Sequence, residues 1–160
     1  MRTFSITKTG LLLAATIVLQ LAGLPQPVTG PVVNMMLYIS TLAVGIGGAV
    51  IIGCLTPIVA FTRGILPPPL APAIPFIALG NALLSVVYGV LYPRSRVLAI
   101  LAASLFKYLL LAGAVRFVIQ VPPGAAVALQ APQLLTALGG GALAWLLHNP
   151  LKGAGIIDED

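Results

Sequence analysis

One lysine, Lys107, stands in the middle of the apolar stretch RSRVLAILAASLFKYLLLAGAVRFVIQ (94–120). An ammonium at the centre of a bilayer costs roughly 2.5–3.5 kcal/mol even on the gentlest insertion scale. Such a charge normally finds a carboxylate. The chain offers none, because its only acids, Asp158, Glu159 and Asp160, stand together at the C-terminus. Two readings are open for Lys107. Either it snorkels or donates to backbone carbonyls, or it is an anion-attracting group at the floor of an outward-opening pocket. With no counter-ion to lose, replacing it by an apolar residue is expected to leave the fold as stable as before, or more so.

The other polar groups within apolar stretches fall around it. Ser104 and Tyr108 share its helix face, and in FIALGNALLSVVYGVLY (76–92) Asn81, Ser85, Tyr88 and Tyr92 recur at helical spacing as one stripe. With Asn34 and Tyr38 upstream and Gln133 downstream, the candidate ligand-binding set is Asn34, Tyr38, Asn81, Ser85, Tyr88, Lys107 and Gln133. The amides and tyrosines equally suit hydrogen bonds between helices. Arg116 lies roughly 180° around the helix from Lys107 at about 100° per residue, so it either snorkels to the headgroups or lines the pocket from another side.

Several chemistries are excluded. No GxxxxGK[ST] loop exists to cradle a nucleotide, and no intramembrane Asp or Glu exists to relay protons or sodium. The one histidine, His148, has no carboxylate to orient it, which argues against a membrane hydrolase. Cys54 is the only cysteine, so no disulfide, CxxC metal site or redox pair is expected. No basic run with interleaved aromatics points to nucleic acid. The chain reads as a non-enzyme without cofactor or metal.

These residues must be positioned by membrane helices. Fifty-nine per cent of residues are apolar, 7% are charged, and the mean hydropathy is +1.11, the composition of an integral membrane protein. The start, MRTFSITKTGLLLAATIVLQLAG, imitates a secretory signal, but no good small-residue pair marks a cleavage site, so it reads as an uncleaved first span at 10–24. LPQPVTGP (24–31) reads as a turn. The apolar run from Val32 to Thr62 would be about 46 Å as one helix, too long for one untilted crossing. The segment VGIGGAV (44–50) offers a reversal, giving spans at 32–46 and 47–62. RGILPPPLAPAIP (63–75) reads as a stiff polyproline-like outer strap. Spans at 75–92, 96–120 and 132–148 follow, the last stopped by Pro150. The fold class is thus an all-α integral membrane protein, a single domain over 1–160, with six transmembrane helices and Pro-rich outer loops. An even number of crossings puts Arg2, Lys8, Arg94, Arg96 and Lys152 on the cytoplasmic side with both termini, and leaves Arg63 as the clear outer-loop charge. Gly45, Ala49 and Gly53 repeat every four residues, a spacing that permits close helix packing.

Six spans, short second and third spans joined through VGIGGAVIIGCLTP (44–57), and long outer connections resemble the substrate-binding S component of an energy-coupling factor transporter. The resemblance implies capture of a small water-soluble vitamin or cofactor precursor in an outward-facing pocket, in a bacterial plasma membrane. It also implies partners: a transmembrane T component and two ATPase subunits, toward which the S component topples. The family's small-residue contact on span one maps onto Ala14, Val18 and Ala22, where valine replaces a small residue. Lys107 favours an anionic substrate. The alternative is a non-transport membrane scaffold or assembly subunit whose polar residues only pack helices.

Overall fold

The computed structural model describes residues 2–157, with side chains from position 6 onward. Seven helical elements follow in order: α1 (Arg2–Leu21), α2 (Gln26–Thr62), a 3₁₀ helix (Pro68–Ala73), α3 (Ile74–Leu91), α4 (Arg96–Phe117), the short α5 (Pro123–Ala128) and α6 (Ala131–Gly153). Four stretches are long and apolar enough to cross a membrane: Gln26–Thr62, Pro68–Leu91, Arg96–Phe117 and Pro123–Gly153; Ile6–Leu21 is apolar but shorter. Ile51, Leu79, Leu109 and Leu146 are among the large apolar side chains left exposed on the outer surface. In water such a girdle would be an aggregation surface, whereas in hydrocarbon it is the solvated face. The protein is an α-helical membrane protein.

α2 is one helix only in name. At Gly45 the backbone turns to φ 76°, ψ 174°, a conformation essentially reserved for glycine. Leu37 and Gly53 lie equally far on either side of it and would be about 24 Å apart in a straight helix. Instead the Leu37 side chain comes within 3.4 Å of where a Cβ on Gly53 would lie. The chain therefore reverses at Gly45 into two antiparallel arms, 26–44 and 46–62. The small-residue repeat is accordingly split: Gly45 makes the turn, while Ala49 and Gly53 pack inside.

α2 packs against α1, α3 and α6, and the pairs α3–α4 and α4–α6 close a ring with it. Two ends can be told apart from the contacts. Thr9 of α1 touches the α2 reversal beside Gly48, Gly89 of α3 meets Ile46, Arg96 sits over the Tyr92 ring, and Tyr92 bonds His148 of α6. This basic end holds Lys8, Arg94, Arg96 and Lys152. The opposite, loop end gathers the start of α2, the 3₁₀ helix, α5 and the start of α6, with Arg63 and Arg116 there.

The helix ends differ from the sequence expectation. α1 begins before residue 10, and 24–31 is not a turn: α2 starts at Gln26. Pro27 falls in its first turn, where the missing N–H costs nothing, so the proline-bearing segment starts the helix rather than preceding it. The strap forms a 3₁₀ helix because the proline φ near −65° suits that geometry as well as polyproline. α4 ends at Phe117, short of position 120, and the 121–130 connection contains α5. Pro150 does not stop α6, which runs on to Gly153; the proline frees only the carbonyl four residues earlier, within the last turns. Ser95 caps α4, its Oγ accepting from Leu98 N at 3.3 Å.

Inside the ring, α6 lies against the first arm of α2 at backbone distance. A Cβ on Gly140 would stand 2.7 Å from both Met35 N and Pro31 O, whereas one on Gly139 would meet Pro31 at an ordinary 3.6 Å. Gly45→Ala is expected to cost about 1–3 kcal/mol, the usual cost of a residue held in a forbidden backbone region. Gly140→Ala should cost a similar roughly 1–3 kcal/mol by overpacking, with Gly139→Ala near neutral. Denaturant unfolding in detergent micelles measures all three, and equal behaviour of the two α6 variants would contradict the close α2–α6 approach.

Candidate functional site

Lys107 is buried on α4, 3% exposed. It neither snorkels nor donates to backbone carbonyls. Its Nζ donates to Asn34 Oδ1 at 2.7 Å and to Asn81 Oδ1 at 2.8 Å, one amide from α2 and one from α3. Each amide is oriented by its other end. Asn34 Nδ2 donates to Gly30 O at 3.0 Å and to Thr136 Oγ1 at 3.4 Å. Asn81 Nδ2 donates to Gly53 O at 2.9 Å and to Thr56 Oγ1 at 3.4 Å. Gly53 O is available for a local reason: the residue four positions on is Pro57, which has no N–H to give it. Thr56 Oγ1 also donates to that carbonyl, at 3.2 Å. With both amide nitrogens committed to carbonyls, both amide oxygens face the ammonium. Gly80 completes the arrangement by leaving room for the lysine stem, whose Cγ lies 3.3 Å from where a Cβ would sit.

The charged form of Lys107 would be solvated here by two amide oxygens, with no acidic residue among the described cavity lining to neutralise it. It carries three N–H groups, and two are taken by neutral amide oxygens. Lys107 forms part of the wall of a small cavity of about 90 Å³, which also reaches Gln20, Thr29 and Thr56. Gln20 Oε1 is shielded from solvent there and has no hydrogen-bond partner. Gln26, Gly30, Ile65, Leu66, Ile77 and Gln133 belong both to this cavity and to a larger one of about 780 Å³ at the loop end. The larger space lies between the start of α2, the segment before α3, α5 and the start of α6, with walls mainly of proline, leucine, isoleucine and alanine. Its volume is in the range of pockets that hold drug-sized ligands. A polar floor with one cation thus lies beneath an apolar chamber.

Of the seven site residues expected from sequence, four meet here: Asn34, Asn81, Lys107 and Gln133. Tyr38, Ser85 and Tyr88 do not line either cavity. Tyr38 OH shares a 3.0 Å hydrogen bond with Ser104 Oγ, Ser85 Oγ donates to Asn81 O at 3.1 Å, and Tyr88 stacks edge-on between Tyr38 (4.6 Å) and Tyr92 (5.3 Å). The α3 stripe is buried as its spacing implies, but only Asn81 at its upper end reaches the cavity. Arg116 is exposed and lines neither cavity. Gln20, Gln26, Thr29, Thr56 and Thr136 belong to the walls and were not in the expected set. Gln26 and Thr29 fell in the stretch read as a turn, and the Pro57 gap in the α2 ladder is the sequence signal that marks Thr56. On α1, Ala14 and Val18 are exposed, as is Ala22 just beyond it, while Thr16 on the opposite face is fully buried.

Comparison of the chain with protein-family models, curated proteins and solved structures returned no match.

The two-amide clamp changes what removing Lys107 should do. Lys107→Met leaves Asn34 Oδ1 and Asn81 Oδ1 buried without that donor, so the fold is expected to lose stability rather than hold or gain it. Asn34→Leu should cost about 1.5–3 kcal/mol in the parent, the worth of a hydrogen bond to a charged group. In the Lys107→Met background the same change should cost less, with a coupling of about 0.5–3 kcal/mol. Unfolding of the four proteins in micelles closes the cycle; zero coupling would mean that the pair is not energetically linked.

Proposed function

We propose that this chain is the substrate-binding S component of an energy-coupling factor importer. It crosses a bacterial plasma membrane six times with both termini in the cytoplasm. In this reading it captures a small water-soluble vitamin or cofactor precursor in the loop-end chamber, with an anionic group of the substrate on Lys107. A T component and two ATPases then drive release, docking along Ala14, Val18 and Ala22. The observation that carries the reading is a buried, un-neutralised ammonium at the floor of a drug-sized cavity. Charge supports the orientation. Lys8, Arg94, Arg96 and Lys152 collect at the end opposite the cavity, and Lys and Arg favour the cytoplasmic side. The reversal of α2 at Gly45 supports six crossings, since it turns one long apolar segment into two antiparallel arms. The exposed stripe on α1 supports a docking face.

One observation favours the rival reading of a scaffold. Lys107, Asn34 and Asn81 tie α4, α2 and α3 together through their own hydrogen bonds, as a purely structural polar clamp would. The two readings separate in one experiment. Gently purified protein should release a small molecule, detected by mass spectrometry, in an amount approaching one per chain; Lys107→Met should release far less. A scaffold releases nothing of constant identity from either protein. Orientation is checked in parallel on a Cys54→Ala background. Gly124→Cys should react with an impermeant thiol reagent on intact cells and Arg94→Cys should not. Labelling of Arg94→Cys alone would invert the topology and with it the direction of capture.

A further inference from the structure

Beneath the question of which molecule is captured lies the question of what charge it carries. Among the described residues, Lys107 is the only charged one lining either cavity. No described lining residue is acidic; the three acids of the chain, at 158–160, lie outside the described residues. A ligand ammonium in this space would have no carboxylate to meet, and an unpaired buried charge is among the costliest groups to desolvate. A second negative charge would be equally unmatched, because the cavity holds one cation. Polarity is also segregated by depth. Gln20, Thr29, Asn34, Thr56 and Asn81 surround the small floor cavity, while the chamber above is walled largely by prolines and aliphatic side chains. At the floor the ammonium is incompletely used, with two of its three donors taken by the two amides.

We infer that the occupant is a compact organic monoanion with an apolar body. Its anionic head lies against Lys107 in the floor cavity and its body fills the proline- and leucine-lined chamber. Amino acids and other zwitterions, cations, and multiply charged phosphates are outside this class. The head replaces the missing counter-charge, and the apolar walls exclude the water that would otherwise screen the pair. This inference rests on the capture reading but goes further, because that reading asks only for an anionic group on the substrate and leaves its net charge and the rest of its body open. An apolar carboxylate has two natural sources, a water-soluble metabolite or a membrane fatty acid. The chamber reaches the polar floor from the loop end, so a compact soluble acid is the source assigned.

The test uses the whole chain in detergent micelles and a fixed panel of small metabolites, sorted into monoanions, dianions, zwitterions, cations and neutral compounds. Palmitate and the primary amide of each monocarboxylate are included. Binding is read by native mass spectrometry and thermal shift. Binders are expected among the apolar monoanions, each at least about tenfold stronger than its amide, the worth of a hydrogen bond to a charged group. In Lys107→Met, that preference for acid over amide should disappear. Because the charge class is read on the parent protein, poor folding of the variant does not spoil the result. Best binding by cations, zwitterions, dianions or amides would overturn the monoanion assignment while leaving capture intact. Binding of palmitate alone would make the chamber a lipid site and overturn the assigned source. An absence of binders in every class would overturn both this inference and capture itself.

Discussion

The structure is organised by a cation held between two neutral amides. A buried ammonium is ordinarily stabilised by a carboxylate, which neutralises it, and the pair then has no electrostatic demand left to meet. Here Asn34 and Asn81 supply hydrogen-bond acceptors without charge. Solvation is thereby separated from neutralisation. The lysine can stay folded inside the bundle and still attract an anion. A carboxylate in place of either asparagine would bind the ammonium more tightly and remove that attraction.

Other features of the fold follow from keeping both amide oxygens on one ammonium. Asn34 comes from the first arm of α2, whereas Gly53 and Thr56, which hold Asn81, come from the second. Only a reversal at Gly45 brings the two arms to the same depth. The backbone gap at Pro57 leaves Gly53 O to be satisfied from outside the helix, and Asn81 does so. Gly140 lets α6 press on the arm that carries Asn34, with Thr136 one turn earlier accepting from the Asn34 amide. A residue that weakens a local ladder and a residue that lacks a side chain thus both serve the same polar centre. Proline and glycine in membrane helices are tolerated when neighbouring groups re-satisfy the backbone, and here the re-satisfying group is also the lysine's ligand.

Much of this was legible in the sequence, for physical reasons that can be named. Lys107 stood out because a charge in an apolar stretch is expensive, and the absence of acids upstream of 158 required no structure to see. Asn81, Ser85, Tyr88 and Tyr92 had helical spacing, so their common burial was readable. What spacing cannot convey is where along the stripe a cavity ends. Tyr38 and Tyr88 fill the interior below Lys107 with their own rings, a packing outcome that depends on three helices at once. The sequence of 24–31 reads as a turn because proline usually punctuates, yet at the first turn of a helix proline loses no bond and starts α2 instead. Pro150 likewise reads as a stop, yet near the end of α6 it frees a single carbonyl and the helix runs on to Gly153. The clamp itself escaped the sequence, because no local pattern brings positions 34, 81 and 107 together.

A cation left without a counter-charge also links occupancy to stability. The empty protein carries the desolvation cost of the ammonium, reduced but not removed by the two amides. Anything that binds the folded state and not the unfolded one adds RT ln(1 + [L]/Kd), about 2.7 kcal/mol at a hundredfold excess over Kd. For an anion at Lys107, that free energy arises where the empty fold is least well satisfied. The same linkage sets the condition for letting go. In the capture reading proposed above, a chain without a GxxxxGK[ST] loop draws the work of release from a partner. Release then requires a state in which Lys107 no longer offers the anion a better environment than water, and Asn34 and Asn81 sit on separate helices that such a state can draw apart. In that proposed reading, the geometry that holds the anion also defines what an external source of energy must disrupt.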